Sequence, residues 1–167
     1  ISVTKPNWRI LVNERTRLKM SYFYETKDRM IEPTCEKFHK WRENGMPVKY
    51  LRMDGAGENM KLQQRAESAN WKLNLSYEVT ARNTPQKNHL AEIGFTVLGN
   101  QGCALMSHAN VPVKIRYMVF REAFITATYL DGLKVIEING EKKTWYEHWC
   151  SKLPRFVYHL RTWGEAG

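Results

Sequence analysis

Two acidic residues stand where they could hold a metal ion. Asp54 follows an apolar-rich run, residues 48–53, that reads as a short buried strand. Gly55 and Gly57 come next, and glycine lets a chain turn sharply without Cβ clashes. A carboxylate at a strand end beside such a turn can ligate a cation. The competing reading is an Asp-Gly turn that simply closes the strand. Glu92 lies downstream with 37 residues between, in Thr84-Pro85-Gln86-Lys87-Asn88-His89-Leu90-Ala91-Glu92. There a polar loop feeds a helix, and a second carboxylate at that place strengthens the metal reading.

The elements that must position these groups follow from hydrophobic pattern. Residues 8–12 read as an apolar, β-branched strand that could be buried on both faces. After a polar interruption at 13–17, residues 18–24 alternate as the second strand of a meander. Residues 28–44 form an amphipathic helix through Met30, Ile31, Phe38 and Trp41, with Pro33 near its start and Gly45 as its stop. A helix over 59–71 and a strand over 73–80 follow, the latter with Leu75, Tyr77 and Val79 on one face. Residues 81–87 are a loop and 88–109 a long helix, whose Gly94, Gly99 and Gly102 mark places where a neighbouring backbone approaches. Another helix spans 113–129 with Ile115, Met118, Val119 and Ala123 inward. Residues 134–143, with Asn139-Gly140, are a small hairpin or an irregular connection, and 144–151 a tryptophan-rich helix. This order predicts an α/β fold, a mixed sheet with helices on both faces.

A chain of 167 residues, 43% hydrophobic, suits one domain with a proper core and excludes disorder. Its net charge of +9 suggests an anionic partner, with nucleic acid ahead of a membrane surface or of mere solubility. Residues 1–50 carry 11 basic and 6 acidic groups, 51–110 carry 6 and 5, and 111–167 carry 9 and 6. The excess therefore flanks the acidic stretch. Cys35, Cys103 and Cys150 are odd in number, far apart and without zinc-ligand spacing, so buried reduced thiols are expected. The five histidines share no metal spacing either. No run of 18 apolar residues and no signal peptide is present, so no membrane partner is expected.

Asp54-Gly55-Ala56-Gly57-Glu58 and Thr84-Pro85-Gln86-x-Asn88-x-x-Ala91-Glu92 resemble the second and third acidic blocks of a retroelement integrase core. The nearest likeness is to the copia-like branch of LTR retrotransposons. Tyr158-His159-Leu160-Arg161-Thr162-Trp163-Gly164 is similar to the segment that follows that core, so the resemblance runs from about Lys5 to Gly167. It implies a ribonuclease H-like mixed five-stranded sheet with helices on both faces, with residues 1–130 as catalytic core. Residues 131–167 would be a C-terminal extension packing on that core. The chain then reads as a piece of a longer polyprotein, separated from the zinc-binding module that precedes the core in the family.

Such cores set Asp, Asp and Glu on two divalent ions, Mg²⁺ or Mn²⁺, for two-metal phosphoryl transfer at DNA ends. The matching positions are Asn13, Asp54 and Glu92, so the first departs from the family in chemistry. An amide offers one neutral oxygen and an NH₂ that repels a cation, whereas Mg²⁺ favours charged oxygens. Weak metal binding and little or no strand transfer are therefore expected. Glu14 is no substitute, because neighbouring strand residues point to opposite faces. His89 stands where the family has Gly and Ile93 where it has Arg, which favours natural decay over deliberate silencing.

The family contacts DNA through the loop before the last glutamate, here Gln86, Lys87 and Asn88, although Asn88 could be only an N-cap. Arg82, Lys61 and Arg65 read as phosphate contacts or as solvated charges. Glu58 reads as a support for the metal ligands or as a helix-start acid. Trp145, Trp149 and Trp163 read as base-stacking groups or as anchors that pin the tail. The implied partners are DNA, as element ends and target, and further copies of the chain, in the nucleus or a cytoplasmic virus-like particle. A catalytically dead nucleic-acid-binding or oligomerisation module, and another ribonuclease H-like metal nuclease, are the alternatives.

Overall fold

The computed structural model describes residues 7–80 and 89–164. The expected loop contacts Arg82, Gln86, Lys87 and Asn88 lie outside the described residues. The chain forms two compact units: Ile1–Trp8 with Phe23–His89, and Arg9–Tyr22 with Leu90–Gly167. A hairpin of β1 (Asn7–Val12) and β2 (Lys19–Tyr24) contributes its base to the first unit and its tip to the second.

In the first unit, β3 (Tyr50–Asp54), α2 (Gly57–Glu67) and β4 (Ser76–Thr80) make a βαβ crossover. The strands pair in parallel, Tyr50 opposite Ser76 through to Asp54 opposite Thr80. Helix α1 (Ile31–Glu43) packs on α2 and buries Thr34, Cys35 and Phe38. Pro33 sits in its first turn, where a missing N–H costs nothing. The glycine stop is a full Schellman motif: Gly45 at φ +75° donates to Arg42 O at 3.1 Å, and Met46 donates to Trp41 O at 2.8 Å. Helix α2 and β4 are both shorter than the sequence pattern suggests. Lys72 and Asn74 take positive φ, 43° and 53°, so residues between Ser68 and Leu75 are irregular. Leu73 and Leu75 are still buried, whereas Val79, expected on their face, is 45% exposed.

Tyr77 of β4 places its hydroxyl in a buried spot with no partner among the described residues. Burial first, and then the Glu67 charge, push this phenol up to about 12. The unfolded chain then ionises before the folded one, so stability present below pH 10 is lost as pH rises through 10 towards 12. Spectrophotometric titration is expected to show a late tyrosinate near 12 that disappears in Tyr77→Phe, distinct from Tyr146, whose phenol burial also raises. The same variant is expected to melt no earlier than the parent, because it loses an unsatisfied hydroxyl.

In the second unit, the hairpin tip meets α3 (His89–His108) and α4 (Arg116–Asp131), followed by β5 (Val135–Ile138), β6 (Glu141–Thr144) and α5 (Trp145–Cys150). The pair β5–β6 is the hairpin announced by Asn139-Gly140, whose φ angles of 54° and 82° suit a two-residue primed turn. Thr144 and Glu147 form a capping box that starts α5. The inward face of α4 is Ala123, Phe124, Ala127, Thr128 and Asp131. Ile115 and Met118, expected inside, are 44% and 65% exposed. An atom added at Gly164, φ +85°, would lie 2.4 Å from Ala109 Cβ, so this position requires glycine.

Of the glycines of α3, Gly94 and Gly102 face side chains, not backbones. A Cβ at Gly102 would fall 2.2 Å from the Phe124 ring, while Gly99 has nothing within 4 Å. Gly99→Ala is therefore expected to stabilise by up to about 1 kcal/mol through helix propensity. At Gly102 the same gain is opposed by roughly 1–3 kcal/mol of overpacking. Denaturant midpoints of the two variants should separate in that order.

Among the described residues the expected five-stranded sheet does not form: their six strands pair as three separate two-stranded sheets. Tyr50, Arg52 and Asp54 of β3 are exposed and only Met53 is buried, and Arg52 pairs with Glu78 across the ladder at 2.9 Å. That is the pattern of a half-solvated pair, not of a strand covered on both faces. Strand β1 likewise buries only Ile10. The cysteines are free, but Cys35 alone is buried and Cys103 is exposed. Among the described residues no helix is long and apolar enough to cross a membrane.

Candidate active site

Asp54 ends β3 and is exposed. Its Oδ1 accepts from Ala56 N–H at 3.2 Å and from Asn59 Nδ2 at 2.6 Å, an Asx turn that leads the chain into α2. Gly55 and Gly57 are outside the left-handed region, and a Cβ at either would meet at most ordinary contacts. The sharp glycine turn expected from the sequence is thus made by the aspartate instead.

Three ion pairs join the start of α1 and the turn before it to α2. Lys27 reaches Glu58 at 2.8 Å, Lys61 reaches Asp28 at 2.8 Å, and Arg65 Nε reaches Glu32 at 2.7 Å with a second bond from Nη2 at 2.9 Å. The hydrogen bond to Glu58 raises the Lys27 pKa, with the Glu58 charge next and Asp54 a smaller contributor. Lys61, Arg65 and Glu58 are thus engaged in holding two helical segments together. Such exposed pairs are individually weak, so their occupation is a resting arrangement that another anion could exchange.

Asn13 sits at the end of β1 and governs the turn into β2. Its N–H donates to Leu18 O at 2.9 Å, and Arg17 N–H donates to its carbonyl at 2.9 Å. Its side-chain Oδ1 accepts from Thr16 N–H at 2.7 Å and from Thr16 Oγ1 at 3.0 Å. Every one of these bonds to Oδ1 could be accepted by an aspartate in the same place. Glu92 lies in the first turn of α3 and is exposed. Two residues on, a Cβ at Gly94 would touch Val12 and Ile10 at 3.5 and 3.7 Å. The elements that carry Asn13 and Glu92 are therefore in contact within the second unit, while Asp54 belongs to the first.

As donors for a hard divalent cation, these residues fit at two positions and not at the third. Asp54 and Glu92 supply exposed carboxylates, the ligand type Mg²⁺ prefers. Asn13 supplies a neutral oxygen that already accepts two hydrogen bonds. Among the described residues no three His, Cys, Asp or Glu side chains form a ligand cluster.

Sequence reading missed a groove of about 500 Å³ in the second unit, whose lining includes Asn13, Arg15, Asn139, Lys143, His148 and Trp149. The visible hints were the Asn-Gly hairpin and the tryptophan-rich helix, but nothing in their spacing set them beside the Asn13 turn.

The fold has known counterparts. It resembles a chain of the simian T-cell lymphotropic virus intasome, seen by cryo-electron microscopy in complex with PP2A regulatory subunit B56 gamma. The TM-score is 0.59 at 15% identity, over 97% of this chain and 56% of that one. This chain thus spans little more than half of that counterpart. It also resembles the HTLV-2 integrase catalytic core domain, solved in complex with magnesium in a trimeric form. There the TM-score is 0.53 at 11% identity, over 85% of this chain and 91% of the other. No family model matches the sequence. The chain has an integrase-like α/β fold, and at these identities the likeness is one of fold.

Proposed function

We propose that this chain is the catalytic core of a retroelement integrase of the copia-like branch, and that Asn13 leaves its chemistry impaired or absent. The observation that carries this reading is the likeness in fold to an integrase core. It is supported by an aspartate closing a parallel strand and a glutamate opening the long helix, the two acidic blocks named from the sequence. The activity is DNA 3′-end processing and strand transfer, a phosphoryl transfer. Asp54 and Glu92 would hold Mg²⁺ or Mn²⁺, with Asn13 the third and weakest ligand. The bound cation would supply Lewis acidity and a nucleophile of lowered pKa. Neither carboxylate then has to accept a proton.

Around that site, Gln86, Lys87, Asn88 and Arg82 are assigned to DNA contact. Lys61 would join them by exchanging Asp28 for a phosphate, and Glu58 would support Asp54 from the start of α2. The partners are DNA ends, target DNA and further copies of the chain. The trimeric form of the HTLV-2 core motivates the last of these. The setting is the nucleus or a virus-like particle. A second reading, a binding module without chemistry, draws on the fact that Asn13 Oδ1 is already committed to its turn.

The test is Mn²⁺-dependent joining of labelled DNA ends by an Asn13→Asp chain, with Asp54→Asn and Glu92→Gln introduced separately. Each carboxamide should abolish joining while leaving DNA retention in a gel-shift assay. Joining that survives both would remove these residues from the site.

A further inference from the structure

The groove in the second unit is built from three parts of the chain. They are the β1–β2 turn with Asn13, Arg15 and Thr16, the β5–β6 hairpin with Asn139, Glu141 and Lys143, and α5 with Glu147, His148 and Trp149. Its acids are occupied. Glu147 accepts from Thr144 N–H at 2.9 Å and Oγ1 at 2.7 Å, and Glu141 pairs with Lys143 at 2.6 Å. Arg15 is exposed and has no partner among the described residues. His148 Nε2 donates to Ile136 O at 3.3 Å, which holds its ring against the hairpin. The wall thus combines an uncommitted guanidinium, two carboxamides, and the imidazole and indole of α5.

We propose that this groove receives a nucleotide of an unpaired nucleic-acid strand. The base lies against Trp149 and His148, its edge is met by the amides of Asn13 and Asn139, and its phosphate is met by Arg15 and, through exchange of Glu141, by Lys143. A volume of about 500 Å³ suits a nucleotide-sized guest and not a duplex. Aromatic faces accept any base, so no sequence preference is expected from the stacking. An apolar guest would leave Arg15, the Asn13 NH₂ and the Asn139 amide unmet, the Asn13 Oδ1 being held by Thr16. The inference rests on the DNA-directed reading above and adds a strand-binding subsite next to Asn13.

Fluorescence anisotropy of the full chain with a short labelled oligonucleotide, unpaired or as a duplex, tests it. Trp149→Ala should weaken unpaired-strand binding roughly tenfold, with Trp149→Phe restoring most of it. Arg15→Ala should weaken it too and reduce the salt slope by about one. Duplex affinity should change little in either. Unpaired-strand affinity unchanged in Arg15→Ala and Trp149→Ala, with duplex still bound, would overturn the groove assignment alone. No binding of either form by the unaltered chain would instead overturn the DNA-directed reading. Should Trp149→Ala lose its circular-dichroism signature, Arg15→Ala and Trp149→Phe decide the matter.

Discussion

Asp131→Ala is expected to destabilise the protein by about 3–5 kcal/mol, the loss that follows when one partner of a buried ion pair is removed. The Asp131 side chain is fully buried at the end of α4, and Lys19, 7% exposed, reaches its Oδ2 at 2.7 Å. Lys134 occupies Oδ1 at 2.6 Å, and Lys19 Nζ also lies 3.9 Å above the Trp145 ring. Burial first, with the Lys134 and Arg17 charges as smaller contributors, holds the Lys19 pKa below its usual value even though Asp131 works to raise it. Without the aspartate, the ammonium keeps only a cation–π contact, worth far less than its desolvation. The deficit carries a pH signature. A lysine whose folded pKa lies below its unfolded one binds more protons when unfolded, so stability climbs with pH until the unfolded lysine also titrates. The midpoint gap between Asp131→Ala and the parent should therefore narrow as pH rises towards 10.5. Lys19→Met should cost less, because Lys134 still neutralises Asp131. The pair replaced together by Met and Leu should come close to the parent. A loss under about 1 kcal/mol in Asp131→Ala, the value of a surface pair, would show that water reaches this site.

That cluster was not legible in the sequence. Lys19 reads as one polar step in an alternating strand, and Asp131 before Gly132 reads as a helix end. Only tertiary packing brings together residues 112 apart. What could be read were local instructions with their own chemistry. The stop at Gly45, the Asn139-Gly140 hairpin and the start of α5 at Thr144 each depend on a few adjacent residues. The order of strands and helices was legible for the same reason. Sheet assembly was not, because the pairing of strands depends on long-range contacts that periodicity does not encode. The inner face of α4 was only partly legible: Ala123 is buried as expected, but apolar residues lie on several sides of this helix, and Phe124 rather than Met118 packs against Gly102. At the candidate site, residue types were legible but their local bonds were not. Asn13 with Thr16 three residues on is the spacing of a side-chain-closed turn, a structural reason for that asparagine which its chemistry as a ligand does not suggest.

That dual role makes Asn13→Asp the most informative substitution at the site. The Thr16 N–H and Oγ1 both donate to Asn13 Oδ1, and a carboxylate accepts charge-assisted versions of the same bonds. The turn between β1 and β2 should therefore be kept, with a melting temperature within a few degrees of the parent. What changes is the second atom of the group, from an NH₂ that repels cations to an anionic oxygen. Loss of a partner that merely orients a metal ligand already costs 10–100-fold in affinity or activity, so gaining a ligand outright should raise Mn²⁺-dependent joining by roughly 100-fold or more. Thermal shift with Mn²⁺ gives a second readout: a cation bound only by the folded state raises the midpoint, by an amount that grows with its concentration. The shift should be larger in Asn13→Asp than in the parent, and Glu92→Gln should cancel the difference. If the variant keeps the fold but gains neither joining nor a metal-dependent shift, the aspartate finds no partners there. Asn13 is then a turn residue, and the reading as a binding module without chemistry is the one that remains.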